Sequence, residues 1–127
     1  MDDERLRRGR EIQRRLAPDF EAVIEAAVAG VAPDFARLTT EFAMGEVYAR
    51  PGLDLRSRQI ATISALAATG REPQLALHVR YGRNVGLTRE EIGEILIQTA
   101  VYAGWPVALN AMRVAGEVFA AEDAAGA

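Results

Sequence analysis

The chain has 127 residues, a formal charge of −3, half its residues apolar but only 6% aromatic, one histidine and no cysteine. That length suits one domain over residues 1–127, long enough to bury roughly two thirds of the surface its unfolded form exposes. Lack of cysteine excludes disulfides, thiolate metal sites, iron–sulfur clusters and thiol nucleophiles, and the charge gives no general attraction for nucleic acid or anionic lipid.

Abundant alanine and few aromatics favour closely approaching helices, so the expected fold is all-α, with six to seven helices. No apolar run reaches the roughly 18 residues of a membrane span. The opening MDDERLRRGR lacks the apolar core of a signal peptide, so a cytoplasmic location is expected. A polar helix is predicted from about residue 3 to 16, carrying Leu6, Ile12 and Leu16 and stopped by Pro18. Its arginines alternate with acids, which reads as a solvated or interface face rather than a nucleic-acid arm. A second helix, about 19 to 29, sets Phe20, Val23, Ile24, Ala27 and Val28 in an apolar stripe with Gly30 as its stop. Pro33 opens a third, with Phe35, Leu38, Phe42 and Val47 as its apolar stripe. It must end before Arg50-Pro51-Gly52, because the residue before proline disfavours helical angles.

Asp54 is a suitable N-cap for a fourth helix, apolar or small on nearly every face between Ile60 and Ala68 and therefore expected at the centre. Gly70 closes it. Pro73 opens a fifth helix with Leu75, Ala76, Val79 and Gly82 inward and His78 at its middle, broken at Gly86. Thr88-Arg89-Glu90-Glu91 fits a capping box for a sixth helix with Ile92, Ile95, Leu96, Thr99 and Ala100 on its inner side. Gly104-Trp105-Pro106 separates it from a last helix carrying Leu109, Met112, Val114, Ala115, Val118 and Phe119, with fraying expected from Glu122 onward.

Two constellations could carry chemistry. Glu46 and Arg50 stand one helical turn apart beside the Pro51-Gly52 turn, either as a surface ion pair or at the mouth of a site. Arg56 and Arg58 lie where cations oppose the helix dipole, so they need a carboxylate partner or an anionic ligand. His78, flanked by Arg71, Gln74 and Tyr81, reads by itself as either a satisfied structural histidine or a functional one. A single histidine among scattered carboxylates has no recognised metal-ligand spacing, and neither a nucleophile elbow nor a phosphate-cradling loop occurs.

Five segments taken together are more specific: Gly-Glu-Val-Tyr-Ala-Arg-Pro-Gly-Leu-Asp at 45–54, Gly-Arg-Glu at 70–72, Leu-His-Val-Arg at 77–80, Gly-Leu-Thr-Arg-Glu-Glu-Ile at 86–92 and Val-Tyr-Ala-Gly-Trp-Pro at 101–106. In order and spacing the chain resembles the carboxymuconolactone decarboxylase family of the alkylhydroperoxidase-D-like superfamily, over a core of about 33–122 preceded by N-terminal helices within 1–30. The resemblance implies an all-α subunit in a homo-oligomer, a trimer or hexamer. The superfamily's redox branch carries a Cys-x-x-Cys pair and a glutamate where this chain has Arg71, Gln74 and Gln59, so dithiol peroxidase chemistry is excluded and the decarboxylase branch is implied.

On that resemblance the expected substrate is a small anionic cyclic molecule, 4-carboxymuconolactone, in aromatic breakdown through the β-ketoadipate pathway. No cofactor is needed, since the lactone carbonyl is itself the electron sink. Proton delivery falls to His78, whose unperturbed pKa near 6.5 allows both forms at working pH. Arg50, Arg56 or Arg71 would clamp carboxylate, Glu46 would orient His78 or an arginine, and Tyr81, Tyr102 and Trp105 would line the pocket. The chain departs from the family pattern at Tyr81-Gly82-Arg83-Asn84-Val85-Gly86, at Trp105 and at Pro106-Val107-Ala108-Leu109-Asn110. This bulkier lining points alternatively to a divergent enzyme acting on a larger cyclic intermediate of natural-product assembly. A third reading is a non-catalytic helical oligomer that binds a ligand.

Overall fold

A computed structural model describes residues 3–126, and among them every regular element is helical. The elements are α1 (Asp3–Leu16), α2 (Phe20–Val28), α3 (Phe35–Thr39), which runs directly into a π-helical segment (Thr40–Tyr48), then α4 (Leu55–Ala68), α5 (Glu72–Asn84), α6 (Arg89–Ala103) and α7 (Trp105–Gly126). No helix among the described residues is long and apolar enough to cross a membrane. The chain divides into two compact units, one ending at Leu55 and the other beginning at Arg56.

In the first unit the backbones approach unusually closely. A Cβ added at Gly9 would stand 2.1 Å from the Thr40 carbonyl oxygen, and one at Gly45 would stand 2.4 Å from the Arg5 carbonyl oxygen. Only glycine fits these contacts between α1 and the π-helical segment. Ionic contacts surround them. Arg10 pairs with Glu21 at 3.1 Å, and the Thr40 hydroxyl donates to Glu21 at 3.1 Å, tying α1, α2 and the π-helical segment together.

The third helix differs from its predicted form. From Thr40 it widens to i→i−5 hydrogen bonds, as in the 3.1 Å bond from the Ala49 N–H to the Met44 carbonyl. Its buried positions are Ala36, Thr40, Glu41, Met44 and Gly45, whereas the expected apolar stripe of Phe35, Leu38, Phe42 and Val47 is exposed, Phe42 by 61%. The 3.6-residue period identified the apolar face correctly but not the face that packs, because packing here follows the small residues that admit another backbone.

The second unit is built from interlocking side chains. Ile63 of α4, Leu75 and Val79 of α5, Leu87, Ile92 and Leu96 of α6 and its approach, and Val114 of α7 form one buried cluster. Thr88 opens α6 with the expected capping box: its hydroxyl accepts from the Glu91 N–H at 3.0 Å, and Glu91 accepts from the Thr88 N–H at 2.9 Å. Gly104, at φ 109°, makes the corner into α7.

Expectations for α7 and α4 are corrected. In α7 the inward face is Ala108, Ala111, Val114 and Ala115, and Leu109 and Met112 point outward, because the alanines let the helix settle closely on its neighbours. The helix also continues to Gly126 rather than fraying from Glu122, with Ala127 outside the described residues. Arg83 holds Glu122 at 2.6 Å and Arg89 holds Asp123 at 2.7 Å, which ties down the last turns. In α4, Ile63 and Ala67 are buried but Ala61, Ala65 and Ala68 are exposed, so the helix is inward on one side only.

Candidate active site

His78 stands at the middle of α5 because Leu75, Val79 and Gly82 anchor that helix in the core, leaving the ring half-buried beside them. Its Nδ1 lies 3.0 Å from Oε1 and 3.2 Å from Nε2 of Gln59, a residue of α4 with no solvent exposure. Tyr81, one turn along α5 and also wholly buried, meets the imidazole edge-on, with ring centroids 5.3 Å apart and planes at 84°. The Arg80 guanidinium lies over the Tyr81 ring, 5.0 Å from its centroid. The histidine is thus fixed by two neighbours of fixed position.

Burial pushes the His78 pKa down to about 4. A ring with that pKa is neutral at physiological pH, which revises the expectation of both forms from an unperturbed value near 6.5.

The other predicted site residues are distributed over the two units. In the first, Glu46 pairs with Arg5 at 2.8 Å and Arg8 at 3.0 Å, and Arg8 also donates to the Gly45 carbonyl at 2.7 Å. The π-helical winding ends at Tyr48, so the four-residue spacing from Glu46 to Arg50 does not make one α-helical turn. Arg50 borders a groove of about 280 Å³ with Arg15, Tyr48 and Leu53. In the second unit, Arg56 pairs with Glu91, the carboxylate partner that its place near a helix N-terminus required. Arg71 is exposed at the start of α5. Tyr102 and Trp105 flank the Gly104 corner and are 83% and 70% exposed. Among the described residues no group of three His, Asp or Glu side chains could hold a metal ion.

Gln59 is the residue that reading the sequence undervalued. Its signal was a long polar side chain in the apolar helix α4, 19 residues ahead of the only histidine. A second feature not foreseen is a groove of about 640 Å³ in which Ala76, Leu77 and Arg83 of α5 face Val118 and Glu122 of α7.

The described elements are all helical, and the second unit holds a half-buried histidine on one helix, braced from the preceding helix. The chain belongs to the carboxymuconolactone decarboxylase family, whose model matches residues 33–117. It is 43% identical over 86 residues to a 4-carboxymuconolactone decarboxylase of Acinetobacter baylyi, covering 68% of this chain and 64% of that protein. A nitrosuccinic acid decarboxylase of Metarhizium robertsii is 40% identical over 77 residues, 61% of this chain and 54% of that protein. An uncharacterised 15.0 kDa protein of Paracoccus denitrificans is 32% identical over 120 residues, 93% of this chain and 90% of its own length. The chain thus spans somewhat more than half of each decarboxylase, and nearly all of the third relative.

Proposed function

We propose that this chain is a cofactor-independent carboxy-lyase acting on a small anionic cyclic substrate, with 4-carboxymuconolactone as the first candidate. The observation that carries this reading is His78: a half-buried, doubly braced imidazole inside the family-matched region of a chain similar to two proteins named as decarboxylases. Cleavage of the bond between ring carbon and carboxylate sends its electron pair through the ring double bond to the lactone carbonyl and releases carbon dioxide. The dienolate is reprotonated on carbon, so the net change is uptake of one proton and loss of carbon dioxide. His78 supplies that proton, arginine side chains hold the substrate carboxylates, and hydrogen-bond donors stabilise the oxyanion. Arg71, exposed at the start of the helix that carries His78, is one arginine able to turn to a ligand.

The exposed aromatic and aliphatic surface at Val101, Tyr102, Trp105 and Leu109 supports assembly as a homo-oligomer, a trimer or hexamer, in which that surface is covered. The place of action is the cytoplasm. A second reading, divergence to another carboxylate substrate on the same scaffold, is favoured by Tyr81 beside the imidazole and by the relative named for nitrosuccinic acid.

The test is loss of the lactone absorbance and release of carbon dioxide in the presence of the purified protein. His78→Gln should lower turnover by about 10²-fold or more, with the oligomer unchanged in size. Turnover equal to wild type would remove His78 from the mechanism. Activity on nitrosuccinic acid with none on the lactone would select the second reading.

A further inference from the structure

A neutral imidazole that is to give up a proton must first receive one, and the contact at Nδ1 decides which nitrogen does so. We propose that Gln59 is a positioning residue: its side-chain carbonyl accepts the Nδ1 proton of His78, fixing one tautomer and leaving Nε2 as the nitrogen that gains and loses protons. The inference deepens the reading of His78 as the proton donor and rests on it.

Two observations and one chemical argument favour this arrangement. Oε1 is the nearer of the two amide atoms, at 3.0 Å against 3.2 Å. Gln59 is wholly buried, so its amide cannot turn to water for a partner, and its place in α4 fixes the direction from which Nδ1 is approached. Finally, a carbonyl can accept Nδ1–H whether the ring is neutral or cationic. An amide N–H directed at Nδ1 would face a second N–H as soon as the ring was protonated, and the contact would have to break in each catalytic cycle.

The chemical identity of Gln59 also has a consequence. A carboxylate at this position would favour the imidazolium and keep the ring charged. Glutamine gives the same direction without the charge, so the ring is neutral until a dianionic substrate arrives and favours protonation at Nε2. The proton taken up there from solvent is the one delivered to carbon, and the neutral Nδ1–H tautomer is regenerated when it leaves. The contact with the edge of Tyr81 holds the ring plane but adds no charge.

Because His78 is the only histidine, ¹⁵N NMR of the imidazole in tag-free protein reads this site alone. The wild type at pH 7 should show a protonated Nδ1 and an unprotonated Nε2. Gln59→Leu should move the ring to the Nε2–H form preferred by free neutral imidazole. Gln59→Glu should protonate both nitrogens near neutral pH. In turnover, Gln59→Leu should lower kcat by roughly 10-fold or more, the scale of loss for an outer partner of a histidine at metal sites, with KM nearly unchanged.

A wild-type ring protonated on Nε2 would overturn the proposal without any variant, so a poorly folding Gln59→Leu does not protect it. A Gln59→Leu spectrum identical to the wild type would overturn it as well. An Nδ1–H ring that responds to Gln59 substitution supports it even where the lactone is not turned over, and in that case the substrate reading is what fails.

Discussion

The two units of the chain solve the problem of packing helices in opposite ways. Up to Leu55, helices meet through absent side chains and paired charges: Gly9 and Gly45 bring backbones together, and Arg5, Arg8 and Arg10 reach Glu46 and Glu21 around them. From Arg56 on, helices meet around the apolar side chains of Ile63, Val79, Ile92 and Leu96, against which the alanines of α7 close, with charges at the rim at Arg83, Arg89 and Glu122. A glycine contact tolerates no added atom, whereas an interlocked core tolerates none removed. The histidine lies in the second kind of packing, where a neighbour such as Gln59 is held by the core and so can fix the direction of a ring.

The largest stability effect expected is removal of side-chain volume from the second unit. Ile92→Ala should cost about 2–5 kcal/mol, because Ile92 is wholly buried among residues that cannot all close the gap. Urea unfolding at fixed protein concentration measures it. A loss below 1 kcal/mol would mean that this core is not interlocked.

Next comes the acid sensitivity of the same unit. The folded pKa of His78 lies below its unfolded value, about 4 against an ordinary 6.5, so between those limits the unfolded chain binds a proton that the native chain does not. Stability is therefore full above about pH 6.5 and declines as pH falls toward 4, by up to about 3 kcal/mol from this group. Comparing unfolding of wild type and His78→Gln at pH 7 and pH 4.5 isolates the contribution from that of the carboxylates. Equal pH slopes in the two proteins would show that the ring is not desolvated.

The first unit should respond to added volume. Gly9→Ala, with its new Cβ driven against the Thr40 carbonyl, should cost about 1–3 kcal/mol, the usual penalty of overpacking, since backbone cannot swing aside as a side chain can. A neutral result in the same unfolding assay would contradict the close approach of α1 and the π-helical segment. Smallest of all is Glu46→Gln, whose loss of partly exposed pairs with Arg5 and Arg8 should amount to less than about 1 kcal/mol and shrink with salt. A large, salt-independent loss would place Glu46 in a buried network instead.

Local chemistry made most helix limits legible in advance. Pro18, Gly70, Gly86, the Thr88 capping box and the Gly104 corner act within a few residues of themselves, and the elements begin and end at them. The five spaced motifs likewise pointed to the family that the chain belongs to. Less legible were the faces. The apolar period of Phe35, Leu38 and Phe42 marks a hydrophobic side but does not say whether this chain or another covers it, and the change to π-helical winding at Thr40 leaves no mark in that period.

The sequence by itself determined that the protein is helical, that thiol chemistry is closed to it, and that its only imidazole is at His78, because these follow from residue identity and near-neighbour spacing. Tertiary structure alone decided that Gly9 and Gly45 rather than Phe42 mark the packed face, that Arg56 is answered by Glu91, and that Gln59 reaches His78 in a setting where burial keeps the ring neutral. Each of these depends on groups far apart in the chain, and on desolvation, which is set by what surrounds a residue once the helices have packed.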